Sequence, residues 1–290
     1  MKILVPVDFS GNSTHAAGQA ILWAEKRKAE VTFLYVSQVL SPTGSVMYGV
    51  SVETEAEHLA SRSAELKAEM DKVFAELGVQ ADPERYTCKA VNNAVNSTGI
   101  VEYARSWGAD IIVMGNRGES NISTMLLGRT TTAVLDKAEI PVCTIPVGSI
   151  RADWRNVAIG TDLVTVEQDI AIAAPFIGRL DDKFDLVYVS PVFPEKVEMA
   201  EFSPQKLLAA LHEQTGLAFN WVNVVTEVEN DITGGLQQYV EKHNPDLLVM
   251  FYTRRNWFEK LINASYTKQM LFNNKVAVLS FKRSPKIAGV

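Results

Sequence analysis

Thiols and imidazoles are scarce in this chain. The two cysteines, Cys88 and Cys143, fall in apolar, strand-like stretches, too few for a zinc cluster and placed as reduced core residues. Four histidines, His15, His58, His212 and His243, stand apart from one another and from both cysteines, without the short spacings of metal ligands. There is no basic excess either: 28 Lys and Arg against 34 Asp and Glu give a formal net charge of −6. Phosphate backbones are gripped by clustered cations, so nucleic acid is excluded as the expected partner. No stretch approaches the roughly 18 consecutive apolar residues that suggest a membrane span. The first residues read as a core strand with one Lys and no small-residue cleavage site, which argues against a secretion signal and for a cytoplasmic protein. Asn12-Ser13-Thr14 and Asn96-Ser97-Thr98 match glycosylation acceptors but need a secretory route to matter. Two phosphate-binding signatures are absent as well: Gly-x4-Gly-Lys-[Ser/Thr], and Gly-x-Gly-x-x-Gly after the first strand.

What the chain has in quantity is core. Hydrophobic residues make up 47% and charged residues 21%, the balance of an ordinary soluble globular protein. Ile3-Leu4-Val5 and Ile111-Ile112-Val113-Met114 show no polar alternation and read as strands buried on both faces. Ala16, Ala17, Ala20, Ile21 and Ala24 carry helical spacing, with Ser10 or Ser13 as candidate N-cap. The first half is predicted as strands 2–7, 31–36, 85–91, 110–114 and 141–146 alternating with helices 13–28, 54–77, 97–107 and 129–138. Such alternation predicts an α/β, doubly wound parallel sheet covered on both faces. The stretch Leu40 to Val52 is long for a connection and reads either as a lid or partner surface or as an insertion.

The second half echoes the first. Val5-Pro6-Val7-Asp8 parallels Ile159-Gly160-Thr161-Asp162, and Leu34-Tyr35-Val36-Ser37 parallels Val187-Tyr188-Val189-Ser190. Ile111-Ile112-Val113-Met114 parallels Leu247-Leu248-Val249-Met250, and Pro141 to Ile145 parallels Lys275 to Leu279. Four matches in one order predict a tandem duplication, with domains at 1–147 and 154–283 and a short linker, Gly148 to Trp154, that favours packed domains. The predicted strands are 156–160, 184–189, 218–225, 246–250 and 275–281, with helices at 165–178, 203–215, 231–243 and 264–272.

Function is suggested by three glycines. Gly115, Gly118 and Gly128 follow a buried strand with the spacing Gly-x2-Gly-x9-Gly, and a helix comes next. Glycine permits positive φ and close approach of a ligand to bare main chain, while a helix N-terminus presents unpaired N–H groups to an anion. The same glycines could simply make turns. Asp8 and Ser10 lie at the carboxyl end of the first strand, where open α/β sheets gather ligands. Asp8 can accept from a sugar hydroxyl or cap a helix.

Taken together, Val-Pro-Val-Asp-Phe-Ser, Leu34-Tyr35-Val36 and Asp-Ile-Ile-Val-Met-Gly-x2-Gly-x9-Gly resemble the universal stress protein family, closely over residues 1 to about 147 and weakly beyond. The resemblance implies an adenine nucleotide alpha hydrolase-like fold with strand order 3-2-1-4-5, which sets the first strand beside the fourth. It implies a site for ATP, ADP or AMP in which Asp8 contacts adenine or ribose. Pro6 and Val7 would wall the adenine slot, and the Val36 backbone would read the base edge. Met114, Gly115, Asn116 and Gly118 would wrap ribose and phosphates, Thr124 would meet the phosphate tail, and Gly128, Arg129 and Thr130 would seat it. Mg²⁺ could reach Asp8 through the phosphates; no other metal role is expected. Pairing of last strands, here Val142 to Ile145 against Val276 to Leu279, would make an intrachain pseudo-dimer, with a homodimer of chains left open.

One position departs from the family pattern. Arg129 stands where Ser or Thr is usual, and its guanidinium either forks onto phosphate or points to solvent. The second half departs further: Phe251, Arg254 and Ala264 replace the three glycines, although Asp162 and Ser265 remain. A Cβ at these points obstructs main-chain approach, so one nucleotide site per chain is expected. The basic, aromatic stretch Arg254, Arg255, Trp257, Phe258 and Lys260 reads best as a solvated helix face. No Ser–His–Asp order or paired acid–base carboxylates stand out, which argues against an efficient enzyme and leaves at most slow ATP hydrolysis. The expected function is a nucleotide-binding stress-response regulator; the alternative is a nucleotide-free interaction module of the same fold.

Overall fold

A computed structural model of the chain describes residues 1–38, 54–116, 128–148, 154–177, 183–190, 202–226, 232–252 and 276–283. The stretch 40–52, Gly118, Thr124, the linker 149–153, the 254–260 patch, Ala264, Ser265 and the helix expected at 264–272 lie outside the described residues. Two compact units divide the chain, Met1–Ala152 and Asp153–Val290.

The first unit alternates β1 (Lys2–Pro6), α1 (Gly11–Arg27), β2 (Glu30–Ser37), α2 (Glu55–Leu77), β3 (Tyr86–Asn92), α3 (Asn96–Trp107), β4 (Ile111–Gly115), α4 (Arg129–Lys137) and β5 (Val142–Ile145). Its sheet runs β3-β2-β1-β4-β5, the expected order. The pairs are parallel, with Leu4 opposite Thr32 on one side and Ile112 on the other. Right-handed crossovers send the chain from β1 outward to β3 along one face and back to β4 and β5 along the other. Accordingly α1 packs with α2, and α3 with α4. Ile3, Leu4, Val5, Ile111, Ile112 and Val113 are wholly buried, which is why the central strands carry no polar alternation.

Local chemistry fixes the helix ends. The Ser10 side chain accepts from the Ser13 amide and caps α1, so Ser10 and not Ser13 is the cap. Thr54 and Glu57 form a capping box at α2. Cys88 lies in β3 and Cys143 in β5, and both are free thiols. Burial pushes the Cys88 thiol up to about 11, so it is a thiol at neutral pH.

The second unit comprises β6 (Asn156–Thr161), α5 (Val166–Ile177), β7 (Lys183–Ser190), α6 (Pro204–Thr215), β8 (Phe219–Val225), α7 (Ile232–His243), β9 (Leu247–Tyr252) and β10 (Ala277–Lys282). Its strand order is β8-β7-β6-β9-β10, the same 3-2-1-4-5 pattern. Side chains repeat as well as strands. Asp110, just before β4, accepts the Lys2 amide at 2.6 Å, and Asp246, just before β9, accepts the Asn156 amide at 3.0 Å. No described helix is long and apolar enough to cross a membrane.

Candidate functional site

A cavity of about 400 Å³ opens at the carboxyl ends of β1, β2 and β4 in the first unit. It lies where the strand order reverses around β1, the place where open α/β sheets bind ligands. Pro6, Val7 and Asp8 line its middle. On the β2 flank it meets Val36, Gln38 and, from α3, Asn96 and Ile100. On the β4 flank it meets Met114, Gly115, Gly128, Arg129, Thr130 and Thr131.

Each flank is held by specific contacts. On the β4 side the Gly128 amide donates to the Asn116 carbonyl at 2.9 Å, and the Thr131 hydroxyl donates to the Gly115 carbonyl at 3.1 Å. These bonds set the start of α4 against the end of β4. Gly128 is the N-cap of α4 and offers no side-chain cap, and the first turn contains no acidic residue. That end therefore presents main-chain N–H groups and a positive dipole toward the hollow. Gly128 has φ −60° and Gly115 lies within the β4 strand, so neither glycine uses positive φ. On the β2 side α3 sits close on β2: a Cβ at Gly99 would come within 2.9 Å of Val36 Cγ1. The base of that flank is apolar, from Val7, Val36 and Ile100.

Asp8 stands between the flanks and is exposed. Its Oδ1 accepts from the Ser10 amide at 3.1 Å and the Ser10 hydroxyl at 2.5 Å. The intervening residue, Phe9, takes φ 63°, a conformation that costs energy for a residue with a side chain. Asp8 thus supports the cap of α1 without being the cap, and Oδ2 has no partner among the described residues.

Of the residues expected to form the site, Pro6, Val7, Asp8, Val36, Met114, Gly115, Gly128, Arg129 and Thr130 all border this one cavity. Asn116 is buried beside it and does not line it. Gly118 and Thr124 fall in 117–127, outside the described residues. Thr131, Ser13, Gln38, Asn96 and Ile100 border the cavity unforeseen. Ile100 and Asn96 lie four residues apart on α3, and the expected helix, 97–107, began one residue later and gave no sign of which way it faced.

The equivalent crest of the second unit is built differently. Asp162 follows β6 as Asp8 follows β1, but Arg283, just beyond β10, grips it with Nη1 at 2.6 Å and Nη2 at 3.1 Å. The same guanidinium binds Asp169 on α5, through Nε at 3.0 Å and through Nη2. Burial pushes the Asp162 carboxyl up, but the hydrogen bonds from Arg283 and the Val164 amide outweigh it and leave the group below its ordinary value. Asp169 is only 4% exposed, and there burial wins and raises the carboxyl above its ordinary value. Phe251, at the position of Gly115, is buried, stacks on Phe281 at 5.3 Å and lies under the Arg283 guanidinium at 5.7 Å. Nothing in the sequence marked Arg283 beforehand: it lies two residues past the expected end of its strand.

Comparison with known proteins agrees with this architecture. The profile of the universal stress protein family matches residues 1–146. A universal stress protein of Methanocaldococcus jannaschii is 33% identical over 144 residues, covering 50% of this chain and 81% of that protein. Universal stress protein YxiE of Bacillus subtilis is 30% identical over 148 residues, covering 49% of this chain and 95% of its own length. The crystal structure of a universal stress protein from Archaeoglobus fulgidus matches 98% of this chain and 97% of that one with a TM-score of 0.64 at 16% identity, a likeness of fold. With half its length matched by the family profile and a relative above 30% identity covered over most of its length, the chain belongs to the universal stress protein family.

Proposed function

We propose that the first unit binds one adenine nucleotide and that the protein is a regulator whose shape or partner choice follows the bound nucleotide. The observation that carries this reading is the layout of the cavity. A flat base suits the apolar β2 flank. A ribose hydroxyl suits the exposed Asp8 carboxylate in the middle. A phosphate tail suits the uncapped start of α4, where Arg129 adds a charged fork. The strand order β2-β1-β4 sets these three features side by side around one hollow, which supports this reading.

The second unit is read as a degenerate copy that works without a ligand, because Arg283 supplies from within the positive charge that Asp162 meets. The paired last strands implied by the family resemblance remain part of this proposal.

The experiment is extraction of nucleotide from natively purified protein, followed by thermal unfolding with added ATP and Mg²⁺. A ligand at 100 times its dissociation constant stabilises the native state by about 2.7 kcal/mol. A released adenylate and a raised Tm support the reading. Empty protein with a flat Tm in excess ATP, ADP and AMP would favour the interaction module.

A further inference from the structure

Two serines at the start of α1 hold Asp8, one at its amide and one at its carboxylate. The Asp8 amide donates to Ser13 Oγ at 3.2 Å. Asp8 Oδ1 accepts from the Ser10 amide at 3.1 Å and from the Ser10 hydroxyl at 2.5 Å. That hydroxyl has one proton, and the contact of 2.5 Å with the carboxylate, against 3.4 Å to Ser13 Oγ, shows where it goes. The Ser13 hydroxyl gives its own proton to the Ser10 carbonyl at 3.0 Å. Ser13 is 5% exposed and borders the cavity, as Asp8 does.

Capping does not account for the hydroxyl's proton. The cap of α1 needs Ser10 Oγ only as an acceptor, for the Ser13 amide at 3.3 Å. Donation to Asp8 is a second service. The second unit supplies the contrast. Asp162 accepts the Val164 amide at 3.1 Å, as Asp8 accepts the Ser10 amide, but valine has no hydroxyl to add, and Arg283 holds that carboxylate instead. Among the described residues no cation meets Asp8, and Ser10 is what fixes it. With Oδ1 held twice by one residue, rotation of the carboxylate is restrained and Oδ2 is left as the available acceptor.

Resting on the nucleotide reading above, we propose that Ser10 is a positioning residue of the site: its hydroxyl orients the Asp8 carboxylate so that Oδ2 accepts from a ribose hydroxyl. The free protein then presents the sugar contact already aligned, and binding loses less side-chain freedom than an unrestrained aspartate would.

The test compares ATP with 2′,3′-dideoxy-ATP, which lacks both ribose hydroxyls, by calorimetric titration of the full-length protein. Wild type should bind ATP about 10-fold more tightly than the dideoxy nucleotide. Ser10→Gly removes the hydroxyl, keeps the amide bond to Asp8 and places a residue that is tolerated at N-caps. It should weaken ATP binding about 5-fold and leave dideoxy-ATP within about 2-fold of wild type. Ser10→Thr, which restores a hydroxyl, should restore the preference for ATP. Adding Ser10→Gly to Asp8→Ala should cost no further ATP affinity, because the group it positions is gone. A residue that only capped α1 would weaken both nucleotides by the same factor. That result, or unchanged ATP affinity in Ser10→Gly, overturns the assignment and leaves the nucleotide reading intact. Equal wild-type affinities for the two nucleotides overturn the assignment together with the sugar contact of Asp8. Wild-type protein that binds neither nucleotide overturns the assignment and the nucleotide reading alike.

Discussion

Asp8 and Asp162 occupy the same place in their two sheets. Each follows the central strand, each is followed by a residue at φ 63°, Phe9 or Leu163, and each accepts the amide two residues on at 3.1 Å. The same strained turn thus stands in both units with different partners. In the first unit one carboxylate oxygen serves Ser10 and the other faces a hollow with no partner among the described residues. In the second unit Arg283 binds both oxygens. Seven residues on, the copies differ again: Asp169 binds Arg283, whereas His15 keeps a buried Nε2 without a partner. Burial lowers the pKa of His15, so it stays neutral at neutral pH and holds no buried charge. A ligand site requires groups that the fold leaves unsatisfied, and in the second unit Asp162 and Asp169 are met by Arg283.

The sharpest way to break this comparison is to move the second unit's residue into the first. Gly115→Phe should abolish ATP binding, read by calorimetry, with circular dichroism to show an intact sheet. Gly128→Trp, at a half-buried helix end, should give the same loss without touching a strand. Next in size is the lock itself. Arg283→Met leaves the buried Asp169 unpaired and should cost about 3 kcal/mol, read as faster amide exchange in β6 and β10, with ATP binding unchanged. Swapping partners in the pair of aspartates should separate ligand from fold. Asp8→Ala should weaken ATP binding by roughly 10-fold, whereas Asp162→Ala should leave affinity alone and lower stability.

The smallest effect is in pH. Asp162 has a carboxyl pKa below its ordinary value of 3.8 in the folded protein. The stability it contributes is fully present above that ordinary value and is lost as pH falls through the lowered one. Urea unfolding of wild type and Asp162→Asn should therefore differ at pH 7 and converge in acid below 3.8. Asp169, common to both proteins, shifts the opposite way.

Much of this was legible in the chain before its fold was seen. Central strands without alternation, such as Ile111 to Met114, declared a parallel sheet because burial on both faces leaves no polar position. Gly115 and Gly128 were found by spacing, and their part in the cavity followed from the strand order. What remained hidden depended on contacts between distant segments. Arg283 and Asp169 are 114 positions apart, and no local pattern links them. Asn96 looked like one residue of a glycosylation tripeptide, and only the seat of α3 on Val36 brought it to the border of the hollow. Phe9 was read as part of a motif, yet its positive φ is a property of the turn that no side-chain preference announces.

The most direct measurement is the stoichiometry of adenylate binding to the intact chain by native mass spectrometry, with ATP titrated onto wild type and Gly128→Trp. One nucleotide per wild-type chain and none on the variant is the predicted result. Two equivalent nucleotides per chain, or a single one that survives Gly128→Trp, would contradict the proposal that only the first unit takes a nucleotide.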